Sequence, residues 1–85
     1  MIEIDEAARR VVWRVWRAQP FQPLQTPWGK LWRGEESGQG VEVWVDAHET
    51  FDLVMEGETI TLFEPISPGR HRYFLTVLDS TDVAG

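Results

Sequence analysis

The N-terminal segment, residues 5–18, carries apolar and charged side chains at helical spacing. At about 100° per residue, one face collects the apolar side chains Ile4, Ala8, Val11, Val12, Val15 and Trp16. The opposite face collects the charged side chains Glu6, Arg9, Arg10, Arg14 and Arg17. Asp5 is suited to cap the first turn, and Pro20 prevents the helix from continuing. The pattern predicts an amphipathic helix over residues 5–18.

The same segment also contains a run that is typical of a β-strand, Val-Val-Trp-Arg-Val-Trp over residues 11–16. Strand alternation would leave Arg14 between Val12 and Trp16 on one face, whereas helical spacing places every charge on one side. The helix is therefore preferred. The alternative is a small all-β barrel in which residues 9–17 form a strand.

The rest of the chain is divided by proline and glycine. Residues 19–27 hold three prolines, which favour an extended connector and are excluded from central strands. From Trp28 onward, apolar and polar residues alternate between turn signals, and this predicts an antiparallel meander over residues 28–78. The strand candidates are 28–33, 41–46, 50–56, 59–64 and 71–78. The small, polar segment 79–85 is expected to be a frayed tail.

Alternation within these strands separates two faces of the predicted sheet. One face is apolar and should form the core beneath the helix: Val41, Val43, Val45, Phe51, Leu53, Met55, Ile60, Leu62, Tyr73, Leu75 and Val77. The opposite face is mostly polar or charged: Glu42, Asp46, Asp52, Glu56, Thr59, Thr61 and Arg72. Large apolar residues interrupt it: Trp44, Val54, Phe63, Phe74 and Leu78. A sheet face exposed to water is usually more polar, so we expect the connector, a second subunit or a partner to cover it.

Length and composition favour one α+β domain over residues 1–85, with the helix packed on a four- to five-stranded antiparallel sheet. The chain has no cysteine, so neither disulfides nor thiolate metal sites reinforce it. No apolar run reaches the roughly 18 residues of a membrane span, and the N-terminus is acidic where a signal peptide would be basic. These features predict a soluble, cytoplasmic protein that has no contact with a membrane.

Charge is distributed unevenly along the chain. Residues 1–33 carry six of the eight basic residues and three acids, a net charge of 6 − 3 = +3. Residues 34–85 carry two basic residues and eleven acids, a net charge of 2 − 11 = −9. The total of −6 disfavours general affinity for nucleic acid. The simplest interpretation of the asymmetry is that the two parts neutralise each other within one fold.

Signatures of catalysis are missing from the sequence, which has no glycine-rich phosphate loop, no G-x-S-x-G motif and no cysteine nucleophile. The donors Asp46, His48, Glu49 and His71 resemble a metal set, but no helical spacing places them together. We therefore predict a protein without catalytic residues, metal or cofactor.

The remaining interpretation is a small protein-binding module, acting as an adaptor, an inhibitor or an accessory subunit. Trp and Arg are enriched in protein interfaces, and two surfaces present them. The first is the acidic and aromatic sheet face, with Trp44, Phe63, Phe74, Asp52 and Glu42; it would equally serve as a homodimer interface. The second is the basic helix face, with Trp13, Arg9 and Arg17. The alternative function is a tryptophan-lined platform for single-stranded nucleic acid or carbohydrate.

Overall fold

The computed structural model describes residues 2–15, 21–57 and 60–76. In these residues, segments with alternating buried and exposed side chains form eight strands, and there is no helix. The strands are β1 (Ile2–Asp5), β2 (Arg10–Arg14), β3 (Leu24–Thr26), β4 (Gly29–Glu36), β5 (Gly40–Ala47), β6 (Phe51–Glu56), β7 (Thr61–Ile66) and β8 (Gly69–Thr76). They make two four-stranded sheets, the first in the order β1-β2-β6-β7 and the second in the order β3-β4-β5-β8. One cluster of buried side chains draws on both sheets, so the sheets enclose a single core.

The predicted helix over residues 5–18 is wrong, because Arg10–Arg14 is strand β2. Its alternation buries Val11 and Trp13 and exposes Arg10 and Arg14. Arg14 is stable on the outer face because its neighbours supply carboxylates, Glu3 Oε2 at 2.7 Å from Nη1 and Glu56 Oε2 at 3.1 Å from Nε. A helical projection of the sequence does not show these cross-strand partners, which stabilise a charged residue in β2.

Asp5 does not cap a helix as predicted, and its side chain instead closes a turn. Asp5 Oδ1 accepts a hydrogen bond from the Ala8 N–H at 3.1 Å, and Arg9 then takes a positive φ of 52°. The chain reverses there and returns as β2, antiparallel to β1. The α+β architecture is therefore corrected to an all-β one. The all-β alternative with a strand over residues 9–17 was closer, although two packed sheets take the place of its barrel.

The downstream segments form strands as predicted, but they do not form one meander. The chain leaves the second sheet between β5 and β6 and returns to it between β7 and β8. All pairings are antiparallel except β2 with β6, which is parallel. The prediction of the core face is confirmed for seven residues that are buried to 2% exposure or less: Val41, Val43, Val45, Phe51, Leu53, Met55 and Leu75.

Because the strands are divided between sheets, the predicted polar face becomes two separate exteriors. Trp44 and Phe74 lie on the outer face of the second sheet, whereas Phe63 lies on the outer face of the first. The outer surface of a sheet in a sandwich faces water. Part of the aromatic surface that was expected to be covered is therefore exposed.

The proline-rich connector contributes an edge strand, since β3 pairs only with β4 within the described residues. That position suits a proline-flanked segment, because an edge strand need not donate on both sides. The predicted frayed tail, residues 79–85, lies outside the described residues, as does Arg17. The described part of the chain contains no helix long and apolar enough to cross a membrane.

Tyr73 gives the fold a measurable pH dependence. Burial on the inner side of β8 raises the pKa of the Tyr73 phenol, and the nearby Glu64 carboxylate raises it further. The folded state therefore holds this proton more tightly than the unfolded state does. The resulting stabilisation is fully present below the ordinary tyrosine pKa of about 10 and is lost as pH rises through the higher folded value.

We expect Tyr73→Phe to reduce the loss of unfolding free energy above about pH 10, the ordinary tyrosine pKa, compared with the wild type. Urea denaturation at a series of alkaline pH values measures this difference. The chain has one tyrosine, so the absorbance of tyrosinate reports the titration of this side chain alone. Identical alkaline slopes in the two proteins would contradict the prediction.

Candidate binding faces

A pair of tryptophans occupies the centre of the outer face of the second sheet. Alternation in β4 turns Leu31 and Arg33 inward and Lys30 and Trp32 outward. Trp32 lies directly opposite Trp44 of β5, with ring centroids 6.2 Å apart and ring planes within 8° of parallel. Both rings remain partly exposed. The sheet therefore presents two aligned indoles to solvent.

Three cations lie over these indoles. Lys30 Nζ is 5.7 Å from the ring centroid of Trp32, and Arg70 Cζ is 5.6 Å from the same centroid. Arg72 Cζ is 5.8 Å from the centroid of Trp44. These distances are within the range of cation–π attraction, which is worth about 0.5–1 kcal/mol at exposed sites.

Two carboxylates of β5 hold this arrangement in place. Asp46 Oδ2 pairs with Arg70 Nη2 at 3.4 Å, and Glu42 Oε2 pairs with Arg72 Nη1 at 3.5 Å. Trp44 also donates from Nε1 to Glu42 Oε1 at 3.0 Å. Glu42 thus fixes both an indole and the guanidinium that lies over it.

Gly34 leaves room for this contact. A Cβ at position 34 would collide with the Glu42 carboxylate and would lie 3.0 Å from Trp44 Nε1. Phe74, directly opposite Glu42 on β8, is 53% exposed and ends the aromatic surface. We call this surface the tryptophan face, and its residues are Lys30, Trp32, Glu42, Trp44, Asp46, Arg70, Arg72 and Phe74.

The outer face of the first sheet is different in character. Val12, Val54 and Phe63 lie side by side across β2, β6 and β7 and form a short apolar row. Arg10 Cζ lies 5.8 Å from the ring centroid of Phe63, which is 51% exposed. On the other side of the row, the hydrogen bond and charge of Glu3 raise the pKa of the Arg14 guanidinium, which stays charged. We call this surface the valine–phenylalanine face.

The predicted sheet-face residues separate between these two exteriors. Trp44, Phe74 and Glu42 come together on the tryptophan face. Phe63 and Asp52 lie on the valine–phenylalanine face, where Asp52 is opposite Arg10 on one side and Pro65 on the other. The five residues therefore do not make one site.

Trp13 and Arg9, the predicted helix-face residues that the structure describes, do not form a surface either. Trp13 is completely buried in the core, so it cannot reach a partner while the domain is folded. Arg9 donates from Nη2 to the Thr50 carbonyl at 2.6 Å and lies 5.3 Å from the Trp28 centroid, which fastens the β1–β2 turn to the loop before β6. Within the described residues, these contacts give Arg9 a structural role.

Sequence reasoning missed Trp32, Lys30 and Arg70 as members of the candidate site. Strand alternation around the apolar Leu31 could have placed Lys30 and Trp32 on one outer face. Nothing in the sequence shows that this face is shared with Trp44, since that depends on the pairing of β4 with β5.

The histidines make local contacts to backbone carbonyls. His48 Nε2 is 3.2 Å from the Pro27 oxygen, and His71 Nε2 is 2.7 Å from the Ser67 oxygen. The residues described by the structure contain no group of three donors that could hold a metal ion.

An open depression of about 260 Å³ adjoins the tryptophan face and is lined by Gln25, Gly29, Lys30, Asp46, Ala47 and His48.

Comparison of the chain with models of protein families, with curated proteins and with solved structures found no match. The function is therefore inferred from the geometry of the chain itself.

Proposed function

We propose that this protein is a small, non-enzymatic protein-binding module that binds its partner through the tryptophan face. The observation that supports this function is the exposed Trp32–Trp44 pair with Arg70 and Arg72 over its rings. Tryptophan and arginine are the residues most enriched among those that dominate binding energy in protein interfaces. We expect the module to act in the cytoplasm and without a cofactor.

The side chains of this face contact one another in the absence of a partner. Asp46 and Glu42 hold the two guanidiniums, and Glu42 also holds the indole of Trp44. Immobilising a flexible side chain on binding costs about 0.5–1.5 kcal/mol, and a pre-ordered surface avoids part of that cost. The tryptophan face is thus suited to a rigid docking surface.

A protein partner fits this geometry better than a nucleic acid or a sugar does. Bases and sugars stack on open ring faces, but here cations already lie over both indoles, and a flat ligand must displace them. The net charge of −6 also repels a phosphate backbone. A protein segment can instead contact the ring edges and bring carboxylates to Arg70, Arg72 and Lys30.

Selection of binders from a displayed peptide library tests this function. We expect the selected peptides to bind the wild type and to lose roughly 30-fold or more in affinity, about 2 kcal/mol, on Trp32→Ala or Trp44→Ala. Phe63→Ala is the control, because it removes an exposed aromatic side chain from the opposite exterior. Its affinity should stay within about twofold of the wild type, a change of less than 0.5 kcal/mol.

Two results would contradict the proposal. One is selected peptides that depend on Phe63 and tolerate both tryptophan substitutions. The other is quenching of tryptophan fluorescence by oligothymidylate, with affinity that falls steeply as salt is added, which would favour the nucleic-acid platform.

A further inference from the structure

The four edge strands of the two sheets are protected to different degrees. An exposed edge presents unpaired N–H and C=O groups, and natural sheets blunt such edges with short strands, charges or proline. The edge strand β1 has four residues and carries Glu3 and Asp5, β3 has three residues, and β7 contains Pro65. The fourth edge, β8, has eight residues without proline and pairs only with β5 among the described residues.

The two arginines of β8 do not shield its free edge. Arg72 contacts Trp44 and Glu42, both on β5. Arg70 contacts Asp46 on β5 and extends to Trp32 on β4. Both guanidiniums are therefore drawn toward the middle of the sheet, away from the edge. Among the described residues, no strand pairs with the outer edge of β8.

We propose that two copies of this protein associate through β8, which pairs with β8 of the second copy in antiparallel orientation about a two-fold axis at Tyr73. The pairing would join the two second sheets into one eight-stranded sheet. This inference is independent of the proposed function, since a dimer can form whether or not the tryptophan face binds a partner.

The sequence of β8 favours this register over axes at His71 and at Arg72. In an antiparallel pair, residues that face each other lie on the same side of the sheet, so the two-fold axis passes through a residue position. Each choice of that residue fixes which side chains of the two copies face each other. An axis at His71 places Arg70 opposite Arg72, and an axis at Arg72 places that residue opposite itself. Both would set like charges directly against each other, which is destabilising.

An axis at Tyr73 avoids this repulsion and uses the length of the strand. It pairs residues 70–76 of both copies. Arg72 then faces the exposed Phe74 of the second copy, and Arg70 faces Thr76. This register places no charge against a like charge.

Light scattering coupled to size exclusion tests the association across a wide range of concentration. The mass of the wild type should rise from 9.8 kDa toward twice that value as concentration increases. Phe74→Lys places a lysine opposite Arg72 in the dimer and should hold the mass at the monomer value. The matched control is Phe63→Lys, which changes an equally exposed phenylalanine on the other exterior and should dimerise like the wild type.

A charge reversal identifies the register. Adding Arg72→Glu to Phe74→Lys creates an opposite-charge pair at each of the two facing positions and should restore the dimer. Circular dichroism of each variant establishes that it is folded. A wild type that stays monomeric at every concentration would overturn the proposal, and so would a loss of dimer on Phe63→Lys with none on Phe74→Lys.

A single cysteine gives a second, covalent readout. Paired residues of antiparallel strands have Cα atoms about 4.5–5.5 Å apart, within the roughly 4.4–6.8 Å that a disulfide spans. The chain has no native cysteine, so any disulfide joins two copies. Tyr73→Cys should cross-link under mild oxidation, whereas Thr76→Cys, which faces Arg70 of the second copy, should not. Equal cross-linking of the two variants would refute the register.

Discussion

Replacing Trp13 with alanine should lower the unfolding free energy of this domain by about 3–5 kcal/mol. The side chain is 0% exposed and is the largest of the fully buried ones among the described residues. Removing a buried tryptophan costs about 3–5 kcal/mol, through lost burial and the cavity left behind. A domain of this length has an unfolding free energy of about 4–13 kcal/mol, so the substitution removes much of its stability.

Urea denaturation of Trp13→Ala and Trp44→Ala measures this effect against a matched control. Trp44 is the same residue type, but it is only partly buried on the outer face of its sheet. We expect Trp44→Ala to lose less than about 2 kcal/mol, since exposed surface contributes little transfer free energy. Equal losses in the two variants would show that Trp13 does not belong to the core as described.

Gly29→Ala should also lower the stability of the domain. Gly29 has a φ of 157° and lies directly opposite Ala47 of the central strand β5. A Cβ there would collide with the Asp46 carbonyl oxygen and lie 2.8 Å from the Ala47 Cα. Both atoms belong to the backbone of a strand paired on both sides, so they cannot move aside cheaply. Overpacking together with backbone strain should cost roughly 2–4 kcal/mol.

Gly38→Ala is the control for this substitution. A Cβ at Gly38 would meet no atom within 4 Å, and the residue lies in the loop between β4 and β5. Its unfolding free energy should stay within about 1 kcal/mol of the wild type, with a small gain from the reduced freedom of the unfolded chain. If thermal denaturation gave Gly29→Ala the same midpoint as Gly38→Ala, the close approach of β4 and β5 at Gly29 would be refuted.

The sequence predicted the inner faces of the strands because alternation is a local property. Val41, Val43 and Val45 are buried for the reason that the pattern gives, and the same holds for Phe51 and Leu53. The assignment of strands to sheets is not local. Nothing in the spacing of residues 28–78 shows that the chain changes sheets after β5 and again after β7.

The N-terminal segment shows where local reasoning fails. Helical spacing and strand alternation both fit Val11, Val12 and Val15, and the decision depended on Arg14. The carboxylates that stabilise Arg14 in a strand come from Glu3 and from Glu56, which is 42 positions away. Tertiary partners of this kind override a periodicity signal.

The candidate site was accessible to sequence reasoning only in part. Trp44, Phe74 and Glu42 lie on one face, since their strands pair directly. Phe63 and Asp52 were grouped with them because one meander was assumed, and they lie on the opposite exterior. Trp32 was missed because its contact with Trp44 follows from the pairing of β4 with β5.

The parallel pairing of β2 with β6 has a consequence for the order of folding. Arg10 pairs with Asp52 and Arg14 with Glu56, so β2 finds this neighbour only after a long intervening stretch of chain is available. Closing such a loop is slow compared with forming a hairpin. On a ribosome, the segment that carries Trp13 emerges before β6. The Trp13 side chain is enclosed only after β6 has also emerged. The largest fully buried side chain of the core is therefore exposed during synthesis for longer than any residue of the β4–β5 hairpin.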